Sequence, residues 1–255
     1  MQSKDPIRNY KILRRIGNGA SSRVELAYDS IQSGLCALKI LHGSSCENFK
    51  NELNFFKGVP SHSNLVNLLD YDENRLEISS EDDITVLEQP YLAMEYCAKG
   101  NMYDYISNLK SFTHPIARFY FSQILDALET IHTAGFYHGD IKLENILLDE
   151  QFDIKITDFG FSGINTELLN RHRGTIGYMT PEILARRNFS GQAYDIFAAC
   201  VVLYMLITGH RPFMEASSTD LHYKMIKEEK FVEYFRSMPH ENLNADLKSL
   251  FWKAF

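Results

Sequence analysis

Four polar side chains in the middle of the chain have the types that phosphoryl transfer requires. Asp140, Lys142 and Asn145 lie in the stretch HGDIKLEN, residues 138–145, and Asp158 opens the triplet DFG. The oxygens of Asn145 and Asp158 suit Mg²⁺, which takes few protein ligands together with phosphate oxygens. Asp140 would then accept a hydroxyl proton, and Lys142 would offset the charge that grows on the transferred group. Each residue alone fits a turn or a cap, but together they indicate this chemistry.

A lysine within an apolar strand is a second candidate. Lys39 lies inside the predicted strand Gly34–Leu41, where an ammonium group is costly to bury without a partner. Glu52, on a helix predicted over residues 46–57, is the candidate partner. Removing one member of such a buried pair costs about 3–5 kcal/mol, so neither residue is expected there without a role. The alternative interpretation is an exposed lysine at a strand end.

A glycine-containing turn, GNGASSRV at residues 17–24, joins the first two predicted strands. Glycine allows backbone N–H groups to approach a phosphate closely, because no Cβ stands in the way. The pattern G-x-G is weak by itself and also fits an ordinary hairpin turn. It is neither a P-loop, since no Gly-Lys-Ser/Thr follows, nor a dinucleotide fingerprint, since a strand rather than a helix follows.

Composition excludes several classes of protein. The chain has 255 residues, 45% of them hydrophobic and 23% charged, so it can bury a core and is not globally disordered. Its formal charge of −7 argues against a general nucleic-acid-binding protein. The four cysteines form no C-x-x-C pair and no metal spacing, which favours reduced thiols over a disulfide framework.

We find no targeting signal and no membrane segment in the sequence. The longest apolar stretch, residues 196–207, is too short to span a bilayer, and we expect it to be a buried helix. We therefore expect a cytoplasmic protein, with access to the nucleus left open.

The acidity of the chain is concentrated in one segment. Residues 70–89 hold eight of the 33 acidic residues and one of the 26 basic ones, so their net charge equals that of the whole chain. We expect a solvated, partly disordered loop here. The alternative is a docking patch for a basic partner.

Hydrophobic periodicity places strands in the first hundred residues and helices afterwards. This order predicts an α+β fold with two lobes and a boundary near residues 97–100. Strands are predicted over residues 10–16, 22–28, 34–41, 65–71, 91–96, 146–148 and 154–156, and helices over residues 46–57, 115–134 and 196–207.

The order of these motifs resembles the eukaryotic protein kinase family. A glycine-rich turn, A-x-K, a helical glutamate, H-x-D-x-K-x-x-N, D-F-G and x-P-E follow one another from residue 10 to the end of the chain. The residues from 119 to 162 look most like those of calmodulin-dependent and related kinases. Lys142, two residues after Asp140, and Thr175 resemble the corresponding residues of serine/threonine kinases. The resemblance implies a bilobal fold with a β-rich small lobe and a helical large lobe, a protein substrate, ATP and Mg²⁺.

The resemblance also implies roles for individual residues. Asp140 would be the catalytic base and Thr175 would help to position the peptide. The implied catalytic set is Asp140, Lys142, Lys39 and Glu52, the implied metal ligands are Asn145 and Asp158, and the implied peptide-positioning residues are Thr175 and Glu144. The residues implied to surround ATP are Ile16, Gly17, Asn18, Gly19, Ala20, Val24, Ala37, Lys39, Met94, Glu95, Cys97, Asn101, Glu144 and Leu147. An apolar spine linking the lobes would consist of Phe159, His138, Phe56 and Leu68.

The chain departs from the family pattern before the catalytic aspartate. Gly139 replaces the arginine that usually pairs with a phosphate on the activation loop. Arg171 stands at a common phosphorylation position, and the hydroxyl residues between Gly160 and Gly174 are Ser162 and Thr166. The arginine that would bind the phosphate and the usual phosphorylated residue are both missing, which predicts activity without phosphorylation of this loop. The alternative is a catalytically weak pseudokinase that acts as an ATP-binding or protein-binding scaffold.

Residues 1–255 are predicted to form a single kinase domain, with a small lobe over about 1–97 and a large lobe over about 98–255. By comparison with the family pattern, the last helices of the large lobe are expected to be missing, which would leave Glu182 without an arginine partner. Glu144 would attract a basic residue upstream of the target hydroxyl. Asn101 and Met205 stand where many basophilic relatives carry acids, so a strong arginine preference is not expected.

Overall fold

The computed structural model describes residues 10–19, 22–42, 46–79, 84–165, 169, 173–238 and 243–255. Strands dominate up to residue 95 and helices follow, which confirms the α+β architecture with two lobes. The strands are β1 (Tyr10–Asn18), β2 (Ser22–Asp29), β3 (Gly34–Leu41), β4 (Leu68–Asp72), β5 (Leu76–Ser79), β6 (Ile84–Leu87), β7 (Tyr91–Glu95), β8 (Phe136–Tyr137), β9 (Ile146–Leu148), β10 (Ile154–Ile156) and β11 (Gly163–Ile164). The helices are α1 (Cys46–Gly58), α2 (Met102–Leu109), α3 (His114–Thr133), α4 (Pro181–Leu184), α5 (Gly191–Thr208), α6 (Leu221–Lys227), α7 (Phe231–Ser237) and α8 (Ala245–Ala254).

The small lobe is built on a seven-stranded sheet in the order β4-β7-β3-β2-β1-β5-β6. Strand β3 pairs antiparallel with both β2 and β7, so it lies in the interior of the sheet. Successive side chains of a strand alternate between its faces. Cys36, Leu38 and Ile40 therefore point into one apolar cluster, while Ala37 and Lys39 share the opposite face. The sheet thus directs Lys39 towards the space between the lobes.

The acidic segment contains a β-hairpin, so the prediction of a loop is wrong. Strands β5 and β6 pair antiparallel, and Ile78 pairs with Tyr10 of β1. Leu76 is fully buried in the small-lobe cluster, and the Glu77 side chain, 10% exposed, pairs with Arg75. Each strand has four residues, which is too short for the periodicity to stand out among the charges. Glu81, Asp82 and Asp83 lie outside the described residues.

Asp70, at the start of the acidic segment, is a structural residue. Its carboxylate accepts hydrogen bonds from the hydroxyls of Tyr10 at 2.8 Å and Tyr91 at 2.5 Å. Burial, followed by the bond to Asp70, raises the pKa of Tyr91 above its usual range. The two rings meet edge to face with centroids 5.4 Å apart, so this carboxylate joins β1, β4 and β7.

The large lobe is organised around helix α5. Ser190 caps its N-terminus, and Gly209 ends it in the left-handed conformation with φ 74°. The helix is long and apolar enough to cross a membrane by length and composition, but 78% of its residues are buried within the protein. It packs against α3, α8 and β8, and it forms the centre of the large-lobe core, as the apolar run predicted.

Candidate active site

Lys39 meets two carboxylates at the mouth of the cleft between the lobes. Its Nζ lies 2.7 Å from Oε2 of Glu52 and 2.8 Å from Oδ1 of Asp158. Lys39 is 9% exposed and Glu52 is fully buried. The predicted pair is therefore present, and Asp158 is a second partner that the sequence did not reveal. The exposed-lysine alternative is wrong.

This cluster keeps both Lys39 and Asp158 charged. Burial alone would lower the pKa of Lys39, but the charges of Glu52 and Asp158 outweigh it and raise that pKa above its usual range. The Lys39 charge in turn lowers the pKa of Asp158. Lys39 is thus a fixed cation, and Asp158 is a fixed anion beside it.

Asp140 lies at the centre of a compact polar network. Its Oδ2 accepts hydrogen bonds from Lys142 Nζ at 2.5 Å and from Asn145 Nδ2 at 3.1 Å. Its Oδ1 accepts one from the Thr175 hydroxyl at 2.8 Å, and Thr175 in turn accepts one from Lys142 at 3.0 Å. Asp140 is 1% exposed, so its carboxylate is oriented by neighbours on all sides. The structure thus brings together Asp140, Lys142 and Asn145, as the sequence predicted, and adds Thr175 to them.

A buried aspartate of helix α5 holds the backbone of this loop. Asp195 accepts hydrogen bonds from the backbone N–H groups of His138 at 2.8 Å and Gly139 at 2.9 Å, and it lies 3.0 Å from His132 Nε2. The three contacts pin the residues immediately before Asp140 to the rigid core helix. Asp195 is therefore a positioning residue for the loop.

Tyr137 occupies a slot formed by three glycines. A Cβ added to Gly139, Gly163 or Gly191 would lie 3.1, 2.8 and 2.4 Å, respectively, from an atom of the Tyr137 ring. Gly139 has φ 82°, a conformation that side chains other than glycine rarely adopt, and its added Cβ would also lie 2.6 Å from the carbonyl oxygen of Phe161. The backbone at position 139 therefore requires glycine.

Phe159 joins the catalytic region to helix α1. Its ring stacks on Phe55 with centroids 3.8 Å apart and meets Phe56 and His138 edge to face at 5.1 and 5.4 Å. Leu68 packs against the same small-lobe cluster as Phe56. The spine contacts predicted for Phe56 and His138 are present. The sequence analysis missed Phe55, although its position three residues after Glu52 on one helix could have suggested it.

A cleft of about 770 Å³ lies between the lobes beside these residues. Glu95, the last residue of β7, directs its carboxylate to Asn67 and Lys155, at 3.1 and 2.9 Å. Cys97 is buried, and this burial, followed by the Glu95 charge, raises the pKa of its thiol to about 12. Predicted ATP-site residues that line the cleft are Ile16, Gly17, Asn18, Gly19, Val24, Ala37, Lys39, Met94, Glu95, Cys97, Asn101, Glu144 and Leu147. Ala20 lies outside the described residues. Cleft residues that the sequence analysis did not name include Arg14, Val66, Tyr96, Asp104 and Thr157.

Comparison with known proteins agrees with this arrangement. A family model described as the protein kinase domain matches residues 10–254. The chain belongs to the protein kinase family. This confirms the resemblance drawn from the motifs and the bilobal fold class that it implied.

The relatives of this kinase include plant enzymes. It is 32% identical over 233 residues to CBL-interacting protein kinase 30 of Oryza sativa subsp. japonica, a match that covers 87% of this chain and 46% of the relative. It is 32% identical over 241 residues to CBL-interacting serine/threonine-protein kinase 3 of Arabidopsis thaliana, covering 90% of this chain and 52% of that protein. The chain therefore spans about half the length of the curated relatives that it matches.

The side chains of Asn145 and Asp158 in this kinase fit a divalent cation that also binds phosphate. The Asn145 amide nitrogen donates to Asp140, which leaves its amide oxygen without a donor among the described residues. The Asp158 side chain is 44% exposed and stays ionised, and both residues line the cleft. No group of three or more His, Cys, Asp or Glu in the described part of the chain forms a metal cage. Mg²⁺ usually binds one or two protein oxygens together with phosphate oxygens, and the oxygens of Asn145 and Asp158 meet this requirement.

The activation segment of the kinase contacts helix α1 directly. Arg173, just before Gly174, donates a hydrogen bond to Glu47 at 2.8 Å. Ser162 is 2% exposed, and Asn51 of α1 donates to the carbonyl of Gly160 at 3.1 Å. Thr166 and Arg171 lie outside the described residues. The described part of this segment is therefore held to α1 by its own side chains.

Proposed function

We propose that this chain transfers the γ-phosphate of ATP to serine and threonine hydroxyls of protein substrates. One observation supports this most strongly: the buried Asp140 carboxylate is oriented by Lys142, Asn145 and Thr175 at the edge of a cleft that contains a fixed Lys39. Lys142, two residues after Asp140, favours serine and threonine over tyrosine as acceptors, by resemblance to the family.

In the proposed reaction, Asp140 accepts the proton of the substrate hydroxyl. The hydroxyl oxygen forms a bond to the γ-phosphorus while the bond from that phosphorus to the β,γ-bridging oxygen breaks, and ADP leaves with the electron pair. Lys142 lies 2.5 Å from Asp140 Oδ2, where its charge offsets the negative charge on the transferred group. Lys39 would hold the α- and β-phosphates.

Mg²⁺ would be bound by Asn145 and Asp158 and would neutralise phosphate charge when present. The turn at residues 17–24, which includes Ala20, would cover the phosphates, and Ile16 would also contact ATP. Val24, Ala37 and Leu147 would sandwich the purine ring. Ala37, Met94, Glu95, Cys97 and Leu147 would surround the adenine. These roles rest on the resemblance and on the common cleft that the described residues line.

The test is transfer of labelled γ-phosphate to a generic protein substrate, comparing the wild type with Asp140→Asn. General base catalysis contributes about 10²–10⁴ in rate, so the variant should lose at least that factor while it retains ATP binding. The second candidate function is a pseudokinase scaffold, favoured by Gly139. Transfer by neither protein, with ATP binding retained, would support the scaffold instead, and equal transfer by both would contradict the role of Asp140 as the base.

We further propose that activity does not need phosphorylation of the activation loop. Gly139 carries no side chain that could bind a phosphate, and Arg173 is already paired with Glu47 of α1. Ser162 is buried, and Thr166 is the remaining hydroxyl residue in the stretch 160–174. If phosphatase treatment abolished activity and Thr166→Ala did the same, this proposal would be wrong.

The domain organisation, the location and the partners of the chain are also proposals. We propose a single kinase domain, with a small lobe that ends near Cys97, and a cytoplasmic location. We propose that the chain works with protein partners, as the names of its CBL-interacting relatives indicate for those proteins. The acidic hairpin segment, residues 70–89, would suit a basic partner.

A further inference from the structure

A groove on the large lobe is lined by several basic side chains. It has a volume of about 670 Å³ and lies between helix α2, the end of α5 and the turn that follows α5. None of its described lining residues is acidic. Its basic and imidazole-bearing lining residues are Lys110, His210, Arg211 and His222. Such a concentration of basic and imidazole-bearing side chains is unusual in a chain that carries 33 acidic residues and 26 basic ones.

Arg211 is the cation of this groove that lies nearest to the catalytic residues. Its guanidinium lies over the Tyr178 ring, 5.5 Å from the centroid, and a Cβ added to Gly177 would lie 2.7 Å from its Nη1. It makes no ion pair with a described carboxylate. A planar guanidinium with free N–H groups matches a carboxylate in two-point hydrogen bonding. Arg211 is therefore available to an acidic ligand.

Acidic side chains on the neighbouring elements accept other hydrogen bonds or line the cleft. Asp220 accepts hydrogen bonds from the backbone N–H groups of Met214 at 2.9 Å and Tyr223 at 2.8 Å. Asp104 accepts one from Asn101 at 2.9 Å at the start of α2. The charge of Glu144 acts on Tyr178 from the cleft, where this residue contributes to the lining.

A short chain of contacts connects this groove with the catalytic base. The Thr175 hydroxyl donates to Asp140 at 2.8 Å, and the Thr175 carbonyl accepts from the Tyr178 backbone at 2.8 Å. Tyr178 then lies beneath Arg211. A polypeptide that presents its hydroxyl to Asp140 and continues across residues 176–178 would reach the groove.

The walls of the groove suit a peptide with apolar as well as acidic residues. Met205, Met214 and Met238 line it together with Phe213. Met214 is 67% exposed, and unbranched thioether side chains adapt to ligands of different shape. The site therefore offers adaptable apolar contacts around a fixed cation.

We propose that this groove binds an acidic segment of the protein substrate and that Arg211 selects its carboxylate. The inference rests on the proposed protein kinase function, which it deepens by naming a class of substrate. It also agrees with Met205 in the wall, which cannot attract a basic residue. Substrates with Asp or Glu beside the apolar residues of this segment should be preferred over uncharged ones.

The test measures binding of two fluorescent peptides by anisotropy at low salt. Both carry one serine, with the same flanking apolar residues, and they differ only in an Asp/Glu cluster replaced by Asn/Gln in the second. The wild type should bind the acidic peptide about three- to fivefold more tightly, as expected for a partly exposed ion pair. Salt at about 0.5 M should reduce this preference, because it screens exposed charges.

Arg211→Gln should bring the two dissociation constants together. Lys248→Gln is the matched control, since Lys248 lies over the Phe235 ring at 5.5 Å but outside the groove, and it should retain the preference. Equal binding of both peptides by the wild type, or equal loss in both variants, would overturn the inference. Phosphorylation of the uncharged peptide is measured separately. If the uncharged peptide is not phosphorylated, the catalytic proposal is contradicted. The difference in binding between the two peptides tests the proposal for the groove.

Discussion

Phe159 and Phe55 stack face to face, with ring centroids 3.8 Å apart and planes 10° from parallel. Phe159 directly follows Asp158, and Phe55 lies on α1 three residues after Glu52. Lys39 pairs with both of those carboxylates. The stacked rings and the ion cluster therefore fix the same two segments against each other, one by apolar and one by polar contacts.

Phe55→Ala should destabilise the protein and lower the rate of phosphate transfer together. Phe55 is 2% exposed, and truncation of a buried phenylalanine costs about 3–5 kcal/mol. Urea unfolding, followed by the fluorescence of the single tryptophan, Trp252, measures the stability. A phosphate-transfer assay without denaturant, at a temperature well below the melting point, measures the rate. Phe119→Ala is the control, because Phe119 is 50% exposed and should cost far less. Equal losses from the two variants would contradict the importance of the stacking.

Lys39→Met should destabilise the fold, and acid should partly reverse the loss. The change leaves Glu52 buried without its counter-charge, which costs about 3–5 kcal/mol. Burial already raises the pKa of Glu52, and loss of Lys39 removes the charge that opposes this shift. The folded protein then binds a proton that an unfolded glutamate, with pKa 4.5, has released. The free energy of unfolding should therefore rise as the pH falls from about 7.5 towards about 5.5.

Urea unfolding at several pH values measures this effect, with Lys39→Met/Glu52→Gln as the control. The double variant has no carboxyl at position 52 to titrate. It should lose the added pH dependence and regain part of the stability. The same pH slope in the single and the double variant would show that Glu52 is not the group responsible.

Much of this site could be predicted because its residues are close together in sequence. Asp140, Lys142 and Asn145 lie within six residues, and a lysine in an apolar strand required a partner such as Glu52. The contact of Lys39 with Asp158 and the stacking of Phe55 on Phe159 could not be predicted. They depend on how the lobes meet, 119 residues apart along the chain for the first contact.

The acidic segment shows a different limit of prediction. Its many charged residues hid the pattern of two short strands, which have few inward-facing residues, Leu76 and Ile78 among them. A strand of four residues gives two positions on each face, which is too little for period-two alternation to be recognised. The pairing of β5 with β1 is a tertiary contact, and it stabilises a strand that the local sequence alone does not predict.

Asp195→Asn should lower the turnover number more than it changes the Michaelis constant for ATP. The carboxylate accepts from the backbone of both His138 and Gly139, whereas an amide offers one acceptor atom and turns an N–H₂ group towards the other donor. An unsatisfied buried donor costs about 1–3 kcal/mol, which should also lower the melting temperature. Steady-state kinetics and thermal unfolding measure the two effects. Asp126→Asn, an exposed change on α3, should leave both unchanged, and a similar response from the two variants would contradict the role of Asp195.

Cys97 should resist alkylation despite its place in the cleft. Burial raises the pKa of its thiol to about 12, so only about one thiol in 10⁴ is ionised at about pH 8. Mass mapping after iodoacetamide treatment should show a native rate that keeps rising about tenfold per pH unit beyond pH 9. In the denatured chain the rate should level off near the usual value of 9. A native rate that levels off there would show that the thiol is accessible to water.

The fit of Tyr137 among Gly139, Gly163 and Gly191 has a consequence for how this sequence can change over evolutionary time. Gly163 and Gly191 bring their backbones so near the ring that an added methyl group would overlap it, and at Gly139 it would lie in tight contact, 3.1 Å away. Substitution of Gly163 or Gly191 by alanine should become tolerable only together with a smaller residue at 137, so that these positions change as a linked set. At Gly139 the positive φ adds a second barrier, which a smaller residue at 137 does not remove. A variant with arginine at position 139 would thus need several coordinated replacements and not a single substitution.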